Sequence, residues 1–168
     1  MASKTEITAA IHARSVVIPL LALVLMVGLI ARATAADTRA TGLKWADYKS
    51  GLAQAGQQKK LVLVDFYTPW CRECKKLDKE TFSDPQVVKR LSEGFVAVKV
   101  DAEKQEDIAA RFKVNAYPTL VILDGTGARL CQRIGFMPKD EFMVFLDYAS
   151  TGACKKQNYL DYVDSRKK

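Results

Sequence analysis

Seven consecutive residues, Leu61-Val62-Leu63-Val64-Asp65-Phe66-Tyr67, constrain this chain more than any others, because only Asp65 among them is charged. A strand apolar on alternate residues keeps one face in water, whereas one apolar throughout is covered on both faces. Leu61 to Tyr67 is therefore expected at the centre of a sheet with helices on each side, and Asp65 is the anomaly within it. Three residues later stands Trp70-Cys71-Arg72-Glu73-Cys74. Two thiols at this spacing, at a strand-to-helix junction, lie one turn apart and can open and close a disulfide. If Cys71 starts the helix, its sulfur meets unpaired backbone N–H groups and the positive dipole end, which favour thiolate over thiol.

The remaining pattern alternates helices and strands. Leu43 to Gly56 reads as a helix, with Gly56 ending it. After Cys71 a helix runs to about Leu77, and Ser83-Asp84-Pro85 caps a second one over Gln86 to Ser92. Phe95 to Val100 is the next strand and Ile108 to Phe112 another helix. Asn115-Ala116-Tyr117-Pro118 is a turn feeding the strand Thr119 to Leu123. Asp124-Gly125-Thr126-Gly127 has hairpin chemistry and leads to a strand over Arg129 to Gly135. Lys139 to Ser150 is the last long helix, stopped by Gly152. This order predicts an α/β domain with a central mixed sheet of four or five strands and helices on both faces. Trp45, Tyr48, Phe95, Phe112, Phe142 and Phe145 are expected in its core, and Phe136-Met137 on the rim of the dithiol surface.

The first 36 residues read as an export segment. Lys4 and Arg14 give a basic start, Val16 to Ile30 is uncharged, and Ala31 to Ala36 offers small residues for cleavage. Residues 1–36 are expected to be a signal peptide or an N-terminal membrane anchor. Either one puts the folded part in the periplasm or otherwise outside, free in solution or anchored. Residues 37–152 form one domain and 153–168 a polar C-terminal extension, in which Tyr159, Leu160, Tyr162 and Val163 have helical spacing and either a docking helix or a frayed tail is compatible. The net charge of +7 is mild and forms no basic stripe interleaved with aromatics, so no nucleic-acid partner is expected. His12 is the only histidine and lies in the export segment. The domain thus lacks an obligatory part of Cys–His and Ser–His–Asp hydrolases and of His-containing zinc sites.

With the dithiol after the strand and Tyr117-Pro118 about 45 residues on, the chain resembles thioredoxin-fold proteins. The segments Lys75 to Val87, containing Thr81-Phe82-Ser83-Asp84-Pro85, and Gly135-Phe136-Met137 are similar to the C-terminal periplasmic domain of the thiol:disulfide interchange protein DsbD and its stand-alone relatives. That resemblance implies Cys71 as the attacking thiol and Cys74 as the resolving one. Trp70 would be an apolar platform and Pro118 a cis-proline beside the sulfurs; Trp70, Tyr67 and Tyr117 flank the dithiol, Tyr117 as a candidate substrate contact, with simple packing as the alternative. Asp65 would be the buried acid that helps deprotonate Cys74. The lysine that partners such an acid is displaced, with Ala97 in its position and Lys99 two residues on, so no Asp65–Lys99 pair is expected.

Bland readings compete with these. Cys71 and Cys74 could form a static disulfide or half of a metal site, but so small a loop constrains the unfolded chain little and zinc needs two more ligands. No metal and no cofactor are expected. Asp65 could simply accept backbone hydrogen bonds. Cys131 lies early in the last strand and the helix after it runs back, so Cys131 and Cys154 suit a structural disulfide. Two free thiols or an auxiliary redox pair are the alternatives. Arg72 favours a Cys71 thiolate and Glu73 disfavours it, so these residues do not set a direction. The resemblance points to an exported thiol–disulfide oxidoreductase that reduces proteins with disulfides or dithiols, supplied by a DsbD-type membrane electron donor. Apocytochrome c is a candidate substrate. A disulfide-donating oxidase or isomerase, and a non-catalytic binding or assembly module using the cleft, are the rival readings.

Overall fold

Residues 42–167 are described by the computed structural model, so the export segment read at 1–36, His12 included, lies outside the described residues. Leu61–Tyr67 forms β1, with positions 62 to 66 all buried. It pairs in parallel with β2 (Phe95–Asp101) and antiparallel with β3 (Thr119–Leu123), which pairs antiparallel with β4 (Arg129–Ile134). The sheet order is β2-β1-β3-β4, the expected mixed sheet with four strands. The helices are α1 (Tyr48–Gln58), α2 (Arg72–Leu77), α3 (Pro85–Gly94), α4 (Glu106–Arg111), α5 (Lys139–Ser150) and α6 (Tyr159–Ser165). Among the described residues, no helix is long and apolar enough to cross a membrane.

Side chains alternate across a strand, and this parity divides the core. Leu63, Leu120 and Ile122 pack with Leu77, Leu91, Phe142 and Phe145 from α2, α3 and α5. Val62, Val64 and Phe66 pack on the other face with Ala55 of α1, Ala109 of α4 and Phe112. Asp65 shares the parity of Leu63 and therefore faces the layer that contains α2. The charged residue of the central strand is thus directed toward the helix that carries the dithiol.

Two boundaries differ from the sequence reading for identifiable reasons. The first helix starts at Tyr48 instead of Leu43, because Ala46 bridges to Val98 in parallel fashion. The Ala46 N–H donates to Ala97 O at 2.9 Å and its carbonyl accepts from Lys99 N at 3.2 Å, so its backbone groups are already paired with β2. Asp47 then caps α1 by accepting from Ser50 N at 3.0 Å. Gly56 does not end the helix; it runs to Gln58, where Lys59 adopts φ 54° and its N–H bonds to Ala55 O. Beyond Leu77, α2 continues as a π-helical turn, Asp78–Phe82. Asp84 and Pro85 open α3 as the sequence indicates, the Asp84 carboxylate accepting from Gln86 N at 2.8 Å and Val87 N at 3.3 Å.

The C-terminal residues take the helical alternative. A 3-10 turn at Ala153–Lys155 leads into α6, whose Tyr159 packs edge-on against Phe145 and Tyr148 at 6.1 and 5.4 Å between ring centroids. Tyr148 Oη also donates to Gln157 O at 2.6 Å.

Gly51 shows how closely α1 lies on β2: a Cβ there would run into Val98 Cγ2. Gly51→Val is expected to cost about 1–3 kcal/mol through overpacking, read as a lowered denaturant midpoint. An unchanged midpoint would contradict the close helix–sheet approach.

Candidate dithiol active site

β1 ends at Tyr67, and the turn that follows is closed by Cys71 N donating to Thr68 O at 3.1 Å. Cys71 is the N-cap of α2 rather than its first helical residue, with φ −66° and ψ 112°. Its Sγ accepts from Cys74 N at 3.1 Å, so a donor at the helix entrance points at this sulfur. Cys71 and Cys74 are joined as a disulfide with 5.3 Å between Cα atoms. Both residues are largely buried, while Trp70 beside them is 66% exposed.

Three further segments meet this junction. Trp70 and Tyr117 stack edge to face with ring centroids 6.1 Å apart, bringing the Tyr117-Pro118 turn to the dithiol. The Tyr117–Pro118 peptide bond is cis. Pro118 O accepts from Gly135 N at 2.8 Å, which ties the end of β4 to the same edge. Trp70 Nε1 also donates to Glu103 Oε1 at 2.8 Å. Sequence reading missed Glu103, since nothing in the pattern links a loop residue after β2 to an indole 33 positions earlier. Ile134, 55% exposed at the end of β4, adds an apolar surface to this edge that its place in a strand does not reveal.

Asp65 is 1% exposed and its Oδ1 has no hydrogen-bond partner among the described residues. Lys99 Nζ lies 3.7 Å from Asp65 Oδ2 and also bonds Asp78 Oδ1. The expectation that no Asp65–Lys99 pair forms is therefore corrected. In the parallel ladder Asp65 is the Cα partner of Lys99, so the two side chains emerge from the same face at the same level. Ala97 pairs with Leu63 instead, and counting along the chain without the register misassigned the position. The Lys99 ammonium also sits 5.0 Å from the ring centroids of Trp45 and of Tyr67. Burial pushes the Asp65 carboxyl up from 3.8 to about 7; the Lys99 charge draws it down and Asp78 pushes it up.

Phe136 and Met137, expected together on the rim, separate. Met137 is 1% exposed and belongs to the core, its carbonyl accepting from Thr81 Oγ1 at 2.7 Å. Phe136 stays half-buried near the surface, with Lys76 Nζ 4.1 Å from its ring centroid. Cys131 and Cys154 are bonded, with Cα atoms 5.9 Å apart, joining β4 to the 3-10 turn before α6.

Comparison with known proteins gives a consistent picture. A stretch of 62 residues is 45% identical to protein disulfide-isomerase A4 of Mus musculus, covering 37% of this chain and 10% of that one. Another comparison aligns 106 residues at 34% identity with the thiol:disulfide interchange protein DsbD of Pectobacterium atrosepticum, 60% of this chain and 18% of that one. The chain spans about a tenth to a fifth of the length of the curated relatives it matches. A solved thioredoxin from Thermus thermophilus superposes with a TM-score of 0.62 at 26% identity, over 69% of this chain and 94% of that one. The thioredoxin-like domain model matches residues 48–150, from the start of α1 to the end of α5. By that match, over more than half its length, the chain belongs to the thioredoxin-like domain family.

Proposed function

We propose that this protein is an exported thiol–disulfide oxidoreductase that passes electrons from a Cys71–Cys74 dithiol to disulfides of partner proteins. The observation that carries this reading is Cys71 at a helix N-cap, its sulfur facing the Cys74 N–H beside exposed Trp70. In the reduced form the Cys71 thiolate attacks one sulfur of a partner disulfide, and the other partner sulfur leaves as a thiolate that takes a proton from solvent. Cys74 gives its proton to the Asp65 carboxylate and attacks Cys71 Sγ. The second partner sulfur leaves and is protonated, so two electrons and two protons pass to the partner and Cys71–Cys74 becomes a disulfide. Trp70, Tyr117 and Pro118 form the surface on which the partner lies.

A buried carboxylate directed toward the helix that carries the dithiol would disfavour a thiolate there when ionised, and couples whose thiolates are weakly stabilised are reducing ones. This supports the direction toward reduction, as does the resemblance of the 75–87 segment. Electrons would come from a DsbD-type membrane donor, and an apocytochrome c haem-attachment disulfide is a candidate substrate. Export rests on the reading of residues 1–36 as a signal peptide or anchor. Residues 37–152 form the working domain, and the Cys131–Cys154 bond serves to fasten the 153–168 extension to it. The identity to protein disulfide-isomerase A4 favours a second reading, a disulfide donor or isomerase using the same two thiols.

Cys74→Ala is expected to accumulate covalent partner adducts through Cys71, seen as reductant-sensitive bands that vanish when Cys71 is also replaced. Absence of such adducts would support a binding or assembly module without turnover and overturn exchange.

Asp65→Asn is expected to slow resolution of a Cys71 mixed disulfide by about tenfold or more, as loss of a positioned base does. In the unaltered protein the rate of that step rises with pH through about 7 as the carboxyl ionises, and in the variant this rise is lost. The same shift affects stability. Asp65 ionises near 3.8 when unfolded but near 7 when folded, so the native state holds the extra proton between those values and stability falls as pH rises from about 4 to about 7. Asp65→Asn is expected to remove that fall, a change of a few kcal/mol read by denaturation at the two ends of the range. Parallel pH profiles for variant and unaltered protein would refute the role.

A further inference from the structure

The face of α2 and of the π-helical turn after it that points away from the core is a basic ridge. Arg72, Lys75, Lys76 and Lys79 are all exposed and stand at i, i+3, i+4 and i+7. On an α-helix of about 100° per residue Arg72, Lys75 and Lys76 share one fan about 100° wide, opposite the buried Cys74 and Leu77, and Lys79 in the π-helical turn continues the row. The exposed acids of this stretch, Glu73 and Glu80, lie on one flank of the ridge, and Asp78 is engaged by Lys99. Among the described residues none of the four cations is ion-paired. The ridge starts directly at Cys71 and is continuous with the apolar edge of the site, because Lys76 lies over the ring of Phe136, two residues beyond exposed Ile134.

We propose that this ridge is a docking surface that selects partners whose reactive cysteine is flanked by acidic residues. The inference rests on the exchange reading of the same dithiol. From Arg72 to Lys79 the ridge spans about 10 Å, at about 1.5 Å per helical residue. An extended partner segment covers that length with about three residues, at about 3.3 Å each. A partner cysteine seated at Cys71, with its apolar neighbour against Trp70 and Ile134, therefore carries Asp or Glu within about four positions over Lys75 and Lys79. Such contacts between exposed charges act mainly on encounter rate and partner choice and weaken with salt.

The test uses protein reduced at both thiols, freed of reductant, and synthetic peptides that each contain one intramolecular disulfide flanked by Glu, Gln or Lys. In each reaction the protein dithiol becomes a disulfide and the peptide disulfide a dithiol, with no other reductant present. Each rate constant is divided by that of the same peptide with dithiothreitol, which removes the peptide's own reactivity. The Glu peptide is expected to react about tenfold faster than the Lys peptide at about 20 mM salt, narrowing to about twofold at about 500 mM. In the double variant Lys75→Glu/Lys79→Glu the order of Glu and Lys peptides, each taken relative to the Gln peptide, is expected to invert. Equal rates for the three peptides at low salt, or a ratio unmoved by the double variant, would overturn the docking surface while leaving exchange standing. Failure of every peptide, the Gln peptide included, to oxidise the reduced protein would overturn the exchange reading and the docking surface with it.

Discussion

Asp65 and Lys99 meet across the parallel ladder of β1 and β2, and the proton role proposed for Asp65 depends on that register. A slip of one residue would turn Asp65 to the opposite face, among Val64, Phe66 and Val98, where no cation is paired with it. The register is held by the apolar residues around Asp65, whose alternate side chains fill two separate layers. One charged residue is tolerated in such a strand because Lys99 reaches it from the neighbouring strand while bonding Asp78 nearer the surface. The pairing is incomplete: among the described residues Asp65 Oδ1 has no partner, and burial outweighs the Lys99 charge, leaving the carboxyl at about 7. An acid that titrates close to neutrality suits proton exchange with a thiol better than one locked in either form.

The remainder of the site is assembled by backbone bonds between segments distant in sequence. Cys71 N to Thr68 O sets the turn into α2, Ala102 N to Tyr67 O at 2.9 Å holds the loop after β2, and Gly135 N to Pro118 O joins β4 to the proline turn. Aromatic contacts then complete the surface, with Trp70 placed between Tyr117 and Glu103. The dithiol is therefore held between backbone-bonded segments, with Tyr117 half-buried and Pro118 buried beside it, while Trp70 and Glu103 stay exposed to a partner.

Much of this was legible in the sequence where a pattern maps onto one physical cause. The nearly continuous apolar run announced a central strand, and Asp84-Pro85 announced a helix start. The bounds of β3 and α5 followed from turn chemistry on either side. The errors arose where tertiary pairing overrode local pattern. Residues 43–46 have helical spacing, but Ala46 is drawn into β2. Lys99 seemed displaced because its partner is set by strand register, which the linear sequence does not display. Met137 read as surface because it follows Phe136, yet it fills the core beneath Thr81. Glu103 left no signal at all, since what ties it to the site is a hydrogen bond to an indole on another segment.

The central claim is that Cys71 and Cys74 form a reversible couple poised toward reduction. Equilibrating the protein in glutathione buffers of graded ratio, followed by alkylation and mass analysis of the Cys71–Cys74 peptide, measures that poise directly. A reversible two-electron transition is expected, with a midpoint at or below about −230 mV, in the range of reductive thioredoxin-like couples. A midpoint near about −120 mV, the range of a strong disulfide donor, or a bond that does not open at any ratio, would contradict it.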